Sequence, residues 1–440
     1  MAIVGLGLSG VAAARLCLAR GARVTAMDEA PLAELGSPAR ELALAGVVLR
    51  TGPLVEAELC QADIVVVSPG VPRRPALAAA ERAGAEVIAE LELGARFLSA
   101  PLILVGGTNG KSTVTALVHR MLVEDGRRAF VGGNFGAPLC DAVGGSWDAL
   151  VVEISSFQAE RVPTLHARVG ALLNITEDHL DRYDDFADYA RAKGNPFARM
   201  TAQDVAVIPA GDALCAAQAG RGAARRITFG VAADGADVAL DSGAIVDGVR
   251  GLSYRLQGLR LRGQHNLYNA CAAAAVAGAM GGAAEAIERA LAGFEPLAHR
   301  TVLVAEMDGV AYYDDSKGTN VGATVAALCG LREARAVLIA GGRDKQGSYG
   351  PLVAALRRRG RALVAIGEAA ERIAAAAAGV LPVARAGSMS EAVAQARRLA
   401  EPGDAVLLSP ACSSFDMFRN YRERGEAFAA AVQAARGGQG

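Results

Sequence analysis

The chain reads as an α/β protein of three domains: a Rossmann-like N-terminal domain, a central P-loop ATPase-like domain with a mostly parallel sheet, and a C-terminal Rossmann-like α/β domain. Three observations predict this. Short apolar runs alternate with helical patterns along the sequence, the order that builds parallel sheets. Glycine-rich turns, GLGLSG at 5–10 and GGTNGKST at 106–113, follow the apolar runs that open the first and second blocks. A length of 440 residues leaves room for two to four domains with full cores.

Composition narrows the function. With 45 basic and 46 acidic residues, bulk electrostatics favours no polyanion, and no nucleic-acid partner is expected. The longest uncharged run, 267–284, is mostly Ala and Gly and too weakly apolar for a membrane span, so a packed core helix and no membrane association are expected. A structured motif from Gly5 argues against a signal peptide. The seven scattered cysteines, without CxxC spacing, read as reduced, mostly buried thiols, and a cytoplasmic location is expected.

Residues 1–97 form the first block. AIV is a strand, 11–20 a helix, 23–27 a strand ending at Asp28, and DIVVVSPGVP (63–72) and AEVIAELEL (85–93) come later. GLGLSG matches GxGxxG, with Asp28 placed for a ribose hydroxyl. The same glycines suit any pyrophosphate, a uridine-diphosphate sugar included, or serve helix–strand packing alone. Ser68 and Gly70 lie at a strand's C-terminal end, where ligand loops gather.

The second block, 98–297, opens with the strand 101–105 and the loop Gly106, Gly107, Thr108, Asn109, Gly110, Lys111, Ser112 and Thr113. Small residues let backbone N–H groups converge on phosphate oxygens at a helix N-terminus. Lys111 would reach the terminal phosphates and Ser112 a magnesium ion. The strict GxxxxGK[ST] pattern would need glycine where Val105 stands, and an ordinary turn and cap is the alternative. The following helix buries Val114, Leu117, Val118, Met121 and Leu122 at helical spacing. A glycine turn presents Asn134, and the strand within 148–158 delivers Glu153, suited to magnesium-bound nucleotide or simply a strand-end acid. Another strand ends in Asn174 and the cluster Glu177, Asp178, His179 and Asp181, which could bind metal, activate an amine or cap a helix. Residues 184–200 read as a helix holding Lys193, broken or distorted by Gly194 and Pro196. The stretch 225–262 reads as a small antiparallel patch. The helix from 263 carries Asn269 one turn beyond Asn266, facing a base or serving as a cap.

The third block, 298–440, holds strand–loop–helix units at 312–320, 336–347 and 405–418. In an open sheet their loops share one edge, which would carry Asp315, Ser316, Lys317, Thr319, Lys345, Ser413 and Ser414. Two lysines and several hydroxyls describe a site for a small dianion. Solvated loop charges are the plain alternative.

Taken together, GGTNGKST, VVEISSFQ, NITEDHLDRY with Lys193 beyond it, GQHNLYNA, His299-Arg300 and DDSKGTN resemble the Mur ligases, the ATP-dependent amide-forming enzymes of peptidoglycan assembly. GLGLSG, SPGV, DSKGTN and LLSPACSSFDMF are most similar to the branch that adds D-glutamate to UDP-N-acetylmuramoyl-L-alanine. The resemblance covers essentially all of the sequence. It implies residues 106–113 with Lys111 on the ATP phosphates, and Ser112 and Glu153 on one Mg²⁺. His179 and Lys193 would serve a second, Lys193 as its carbamate. Asn269, Arg300 and Asp315 would contact ATP. Lys317, Thr319, Lys345, Ser414, Phe415 and Tyr421 would frame D-glutamate. Leu8, Ser9, Asp28, Ser68, Gly70 and Asn134 would hold the nucleotide sugar in a substrate-binding domain 1–97, ahead of an ATP domain 98–297 and an amino-acid domain 298–440. A monomer is implied.

The implied chemistry is carboxylate attack on the γ-phosphate, giving an acyl phosphate that the amino-acid amine then displaces. Two anions meet, so Lys111 and magnesium offset their repulsion. Carbamate formation needs neutral Lys193, which burial would favour against an ordinary pKa of about 10.4. The chain departs from the family's usual wording at Gly194-Asn195-Pro196-Phe197, where the helix should continue, and at Glu29-Ala30, towards the uracil side. The L-glutamate-adding sister is the nearest alternative. A nicotinamide-dependent dehydrogenase would explain GLGLSG and Asp28 but not Lys111, Glu153 and Lys193. A P-loop switch or motor would leave DSKGTN and GGRDK unexplained, and folylpolyglutamate synthetase-like enzymes do not account for the GLGLSG domain.

Overall fold

The structure is a computed structural model and describes residues 1–261 and 263–437. It holds three α/β domains, each built on its own sheet. In the first, β1 (Ala2–Val4), β2 (Thr25–Asp28), β3 (Val48–Thr51), β4 (Ile64–Val67) and β5 (Glu86–Ala89) run parallel in the order β3-β2-β1-β4-β5. The winding reverses at β1, so a crevice opens at its C-terminal end. The helix Leu8–Ala19 starts earlier than the expected residue 11, directly on the glycine turn. The run 85–93 is only half strand: β5 stops at Ala89 and the helix Glu90–Ala95 takes over. Its two acids favour a helix N-terminus, and both carboxylates accept backbone N–H groups, Glu90 from Cys140 and Glu92 from Leu165.

The second sheet comprises β6 (Leu102–Gly106), β7 (Ala129–Gly133), β8 (Ala149–Glu153), β9 (Val169–Leu172), β10 (Val205–Pro209), β11 (Arg225–Val231), β12 (Val238–Asp241), β13 (Ala244–Asp247) and β14 (Leu252–Arg255). Their order is β14-β13-β12-β11-β10-β9-β6-β8-β7. Central β6 therefore has β9 and β8 as neighbours, and the loops after these three strands meet. The expected antiparallel patch at 225–262 instead extends this sheet. Strands β11 and β12 continue it in parallel, and only β12-β13-β14 is antiparallel. Strand β11 satisfies the backbone groups that β10 would otherwise leave on an open edge. Residue 262, the last of that stretch, lies outside the described residues. The uncharged helix Gln264–Ala279 is buried from Ala270 to Gly278, as a core helix should be.

The third sheet has β15 (Val302–Met307), β16 (Val310–Asp314), β17 (Ala336–Gly341), β18 (Gly360–Ile366), β19 (Val383–Ala386) and β20 (Ala405–Leu408), in the order β15-β16-β20-β17-β18-β19. Only β15 is antiparallel to its neighbour. The three strands singled out in the sequence, β16, β20 and β17, are adjacent, so their following loops do share an edge.

The chain divides into two compact units. Met1–Ile175, Ala187–Gly258 and Asn269–Ala292 form the first, with the first two sheets; Thr176–Phe186, Leu259–Tyr268 and the chain from Gly293 form the second. Among the described residues no helix is long and apolar enough to cross a membrane. All seven cysteines are unpaired; five are buried, Cys60 is half-buried and Cys329 exposed.

Candidate active site

In the first unit, the turn after β6 is shaped by two glycines that take left-handed backbone angles, Gly107 (φ +130°) and Gly110 (φ +86°). A Cβ on Gly110 would lie 2.3 Å from Oδ1 of Asn269, so this residue on the Gln264–Ala279 helix closes over the loop rather than capping its own helix. Asn174, just beyond β9, pairs with the loop backbone twice: its Nδ2 donates to the Asn109 carbonyl (3.0 Å), and its Oδ1 accepts the Asn109 N–H (2.9 Å). Lys111 folds back to donate to the Thr108 carbonyl at 2.8 Å. Ser112 and Thr113 are buried in the first turn of the helix Lys111–Glu124.

Glu153 ends β8 and is 2 % exposed. One carboxylate oxygen accepts from Asn134 Nδ2 at 2.6 Å; the other, Oε2, is buried with no hydrogen-bond partner among the described residues. A buried carboxylate oxygen in that state is costly unless a cation meets it. Together with the Ser112 hydroxyl, such a hard oxygen donor fits Mg²⁺ that also takes phosphate oxygens. Among the described residues no group of three His, Cys, Asp or Glu could hold a metal by itself.

The helix Phe186–Gly194 brings two side chains to the same loop. Lys193, buried, donates from Nζ to the Gly107 carbonyl (2.7 Å) and lies over the Tyr189 ring at 4.6 Å. The Tyr189 hydroxyl shares a hydrogen bond with Thr108 Oγ1 at 3.0 Å. The expected helix over 184–200 is indeed interrupted: it ends at Gly194, and a 3₁₀ turn, Asn195–Phe197, follows. Lys193 nonetheless reaches the loop. Gly194 has a packing role, since a Cβ there would lie 2.2 Å from Gln218 Oε1. Tyr189 was not singled out in the sequence. Its signal was the i, i+4 spacing to Lys193, which places both on one helical face.

The first sheet carries a cavity of about 430 Å³ at its switch point, lined by Leu8, Ser9, Asp28, Glu29, Ser68 and Gly70 among others. All the predicted nucleotide-sugar residues except Asn134 meet there; Asn134 is committed to Glu153. Asp28 has a structural duty as well. Its two oxygens accept the N–H groups of Leu6 (2.6 Å) and Ala30 (2.9 Å), and Ser68 Oγ donates to the Gly5 carbonyl at 2.7 Å. Glu29, at the departure from the family's wording, forms an ion pair with Arg74.

In the second unit, Asp178 is buried and accepts from Lys345 Nζ (2.8 Å) and Asn320 Nδ2 (3.0 Å). Burial opposes its ionisation, but Lys345, His179 and Asn320 prevail and hold the carboxyl down at about 2. His179 itself adopts φ +54°, a strained angle for a non-glycine residue. Asp178, Lys345 and Asn320 line a cavity of about 200 Å³ with Ser348 and Tyr349. Of the predicted glutamate residues only Lys345 lines it. Lys317 instead lies 4.0 Å from the Tyr421 ring centroid, Ser414 is buried, Phe415 is 66 % exposed, and Thr319 sits in the tight turn after Lys317.

Asp315 is buried after β16 and accepts from Ser409 Oγ (2.6 Å) and Thr301 Oγ1 (3.2 Å). Burial pushes its carboxyl up to about 7, against the Ser409 hydrogen bond and the positive field of Arg300. His299 Nδ1 meets Asp314 Oδ2 at 2.6 Å. Arg424, 1 % exposed, was also missed. It donates to Ser316 Oγ and to the carbonyls of Ser316, Cys412 and Ser413, tying the DSKGTN loop to the loop after β20. Only its i, i+3 spacing from Tyr421 hinted at this.

Three family models match in succession: the Mur ligase MurD-like N-terminal domain over residues 1–89, the Mur ligase middle domain over 105–277, and the Mur ligase glutamate ligase domain over 299–412. The UDP-N-acetylmuramoylalanine--D-glutamate ligase of Syntrophotalea carbinolica is 45 % identical, covering 99 % of this chain and 97 % of its own. The same-named ligase of Desulfosudis oleivorans is 45 % identical over 98 % of this chain and 95 % of its own. The fold also matches the MurF ligase of Thermotoga maritima, solved in complex with ADP, with a TM-score of 0.60 at 16 % identity over 87 % of this chain and 98 % of that one. The chain belongs to the Mur ligase family.

Proposed function

We propose that this chain is the ATP-dependent ligase that joins D-glutamate to UDP-N-acetylmuramoyl-L-alanine, releasing ADP and phosphate, in peptidoglycan precursor synthesis. The observation that carries the reading is the set of groups around the GGTNGKST loop: its own Lys111, Tyr189 and Lys193 from one helix, and Glu153, whose strand end lies beside Val105 just ahead of the loop. Full-length relatives at 45 % identity that bear this ligase name support the subtype.

In this reading residues 1–97 hold the nucleotide sugar, 98–297 ATP, and 298–440 the amino acid. The loop 106–113, with Asn269, Arg300 and Asp315, binds ATP. Ser112 and Glu153 would hold Mg²⁺, which supplies charge neutralisation at the phosphates when bound. On ATP binding, Lys111 leaves the Thr108 carbonyl for the γ-phosphate and offsets the repulsion between the phosphate and the attacking substrate carboxylate. The amine of D-glutamate attacks the acyl carbon of the acyl phosphate, loses its proton with the help of His179, and displaces phosphate. Lys345, Lys317, Thr319, Ser414, Phe415 and Tyr421 orient the glutamate. In the structure Lys345 is bound to Asp178, so substrate carboxylate must compete with or share that partner. Lys193 makes the contacts of an ammonium; as a carbamate it would become an anion suited to a second Mg²⁺. The protein works as a cytoplasmic monomer on these small molecules, without nucleic acid or membrane.

The test is phosphate release with ATP, Mg²⁺ and UDP-N-acetylmuramoyl-L-alanine while the amino acid is varied. Release that needs D-glutamate is expected. Release with L-glutamate alone would transfer the chain to the sister activity, and amino-acid-independent release would reduce it to a plain NTPase.

A further inference from the structure

The helix Phe186–Gly194 has two working faces. Tyr189 and Lys193, four residues apart, meet the phosphate loop. Asp188 and Arg191, three apart, face a polar cleft of about 250 Å³ lined also by Arg73, Glu81, Glu160 and Arg161. In that cleft Arg73 Nη2 donates to Asp188 Oδ2 at 2.9 Å and lies 4.0 Å from Glu160, while Arg191 takes the other Asp188 oxygen. Asp188 is only 8 % exposed, and both of its carboxylate oxygens are taken by these guanidinium groups. Arg73 directly follows Pro72, the last residue lining the cavity at the switch point of the first sheet.

We propose that Arg73 is a positioning residue: through Asp188 it sets the rotation of the Phe186–Gly194 helix, and so the placement of Tyr189 and Lys193 on the phosphate loop, from the segment that lines the nucleotide-sugar cavity. The inference rests on the ligase reading above. It goes beyond that reading by assigning the two sites of the first unit a physical link that runs through the Arg73–Asp188 ion pair. A rotation of one helical residue step would swing Tyr189 and Lys193 away from Thr108 and Gly107, and misplacement on the scale of an ångström is enough to slow chemistry.

The experiment is a double-mutant cycle on the full chain, with kcat and KM for all three substrates read from phosphate release. Arg73→Ala and Asp188→Asn are each expected to lower kcat by about tenfold. KM for the amino acid should stay unchanged, because its residues belong to the other unit. If Arg73 acts through Asp188, the double variant is no slower than the slower single variant. Losses that multiply in the double variant, or single variants with wild-type kcat, overturn the proposal. Should Arg73→Ala fail to fold, Arg73→Lys and Arg73→Gln are compared instead: retained kcat in Lys with loss in Gln supports the ion pair, and equal kcat overturns it. Absence of turnover in the wild-type chain would count against the ligase reading. The variants bear on the inference only as ratios to an active wild type.

Discussion

At residues 5–10 the strand-to-helix turn is held by groups aimed at its own backbone: Asp28 takes the Leu6 N–H, Ser68 donates to the Gly5 carbonyl, and Gly10 packs so closely that a Cβ would lie 1.8 Å from that carbonyl oxygen. At residues 106–113 an equivalent turn is held from outside by Asn174 and is met by Tyr189 and Lys193 from one helix, while Glu153 ends the neighbouring strand beside Val105. Both turns join a parallel strand to a helix through glycines. The first has closed its polar groups on itself and faces a largely apolar cavity, a geometry for gripping a ligand. The second keeps a buried carboxylate oxygen and two lysines poised on soft contacts, a geometry for charge that arrives and moves. On the ligase reading the difference between a binding turn and a reacting one would lie in the partners brought to the turn, because the glycine patterns alone are nearly interchangeable.

The largest effect should follow from removing the charge at the second turn. Glu153→Gln keeps an acceptor for Asn134 but replaces the unpartnered anionic oxygen with an amide. Phosphate release is expected to fall on the order of 10²–10³-fold, the scale of losing one preorganised electrostatic group. Binding of the nucleotide sugar to the isolated first turn's cavity should be nearly unaffected in an equilibrium titration. Loss of both together would erase the distinction between the turns.

Next comes the backbone of the first turn. Gly10→Ala sets a methyl group against the Gly5 carbonyl, a backbone atom that cannot swing aside, and should destabilise the protein by about 3 kcal/mol in denaturant unfolding. Gly110→Ala meets a side-chain oxygen of Asn269, which can move, and carries mainly the left-handed backbone penalty of about 1–2 kcal/mol. Equal losses at the two positions would show that the first turn is no more rigid than the second.

The glycine loop 106–113, the strand-end Glu153, Lys193 beside that loop and the five residues that share the first-sheet cavity could be placed from the sequence because their signals are local: a lysine after glycine, or an acid ending an apolar strand, stands out without tertiary context. What could not be read depended on distant partners. Tyr189 looks like an ordinary core aromatic until Thr108 is placed beside it, and Arg424 looks like a surface arginine until four acceptors from two loops surround it. The error at 225–262 has the same origin. Alternating polarity fixes one buried face, but the choice between parallel and antiparallel pairing is made by whichever edge stands open, here that of β10. The helix at Glu90–Ala95 was hidden in an apolar run because its acids find their partners only in later segments.

Between the two turns sits a titratable joint. Glu90 accepts the Cys140 N–H at 2.6 Å, and burial pushes its carboxyl up to about 7, although that hydrogen bond pulls the other way. A folded-state pKa above the unfolded one means that its contribution is fully present below about pH 4.5 and is lost as pH rises through about 7. Wild-type unfolding free energy should therefore drop between pH 5 and pH 8 by more than that of Glu90→Gln, which does not titrate. The difference is at most a few kcal/mol, since a tenfold change in proton affinity on folding is worth about 1.4 kcal/mol. Buried acids common to both proteins, Asp315 included, cancel in the comparison. Identical pH profiles would mean that Glu90 is charged when folded.

The smallest effect belongs to the rim of the first cavity. Glu29 lines it and pairs with Arg74, but both side chains are well exposed, 50 % and 39 %. Exposed ion pairs contribute about 0–1 kcal/mol and weaken with salt. Glu29→Gln should shift unfolding by less than about 0.5 kcal/mol and change KM for the nucleotide sugar by less than about threefold, with the difference shrinking in high salt. Held in place by Asp28 and Ser68, the turn beneath does not need the pair to keep its shape. A change of tenfold or more, insensitive to salt, would require Glu29 or Arg74 to touch the bound nucleotide. The cavity would then grip through charge at its mouth as well as through its closed backbone, which narrows the contrast with the phosphate loop.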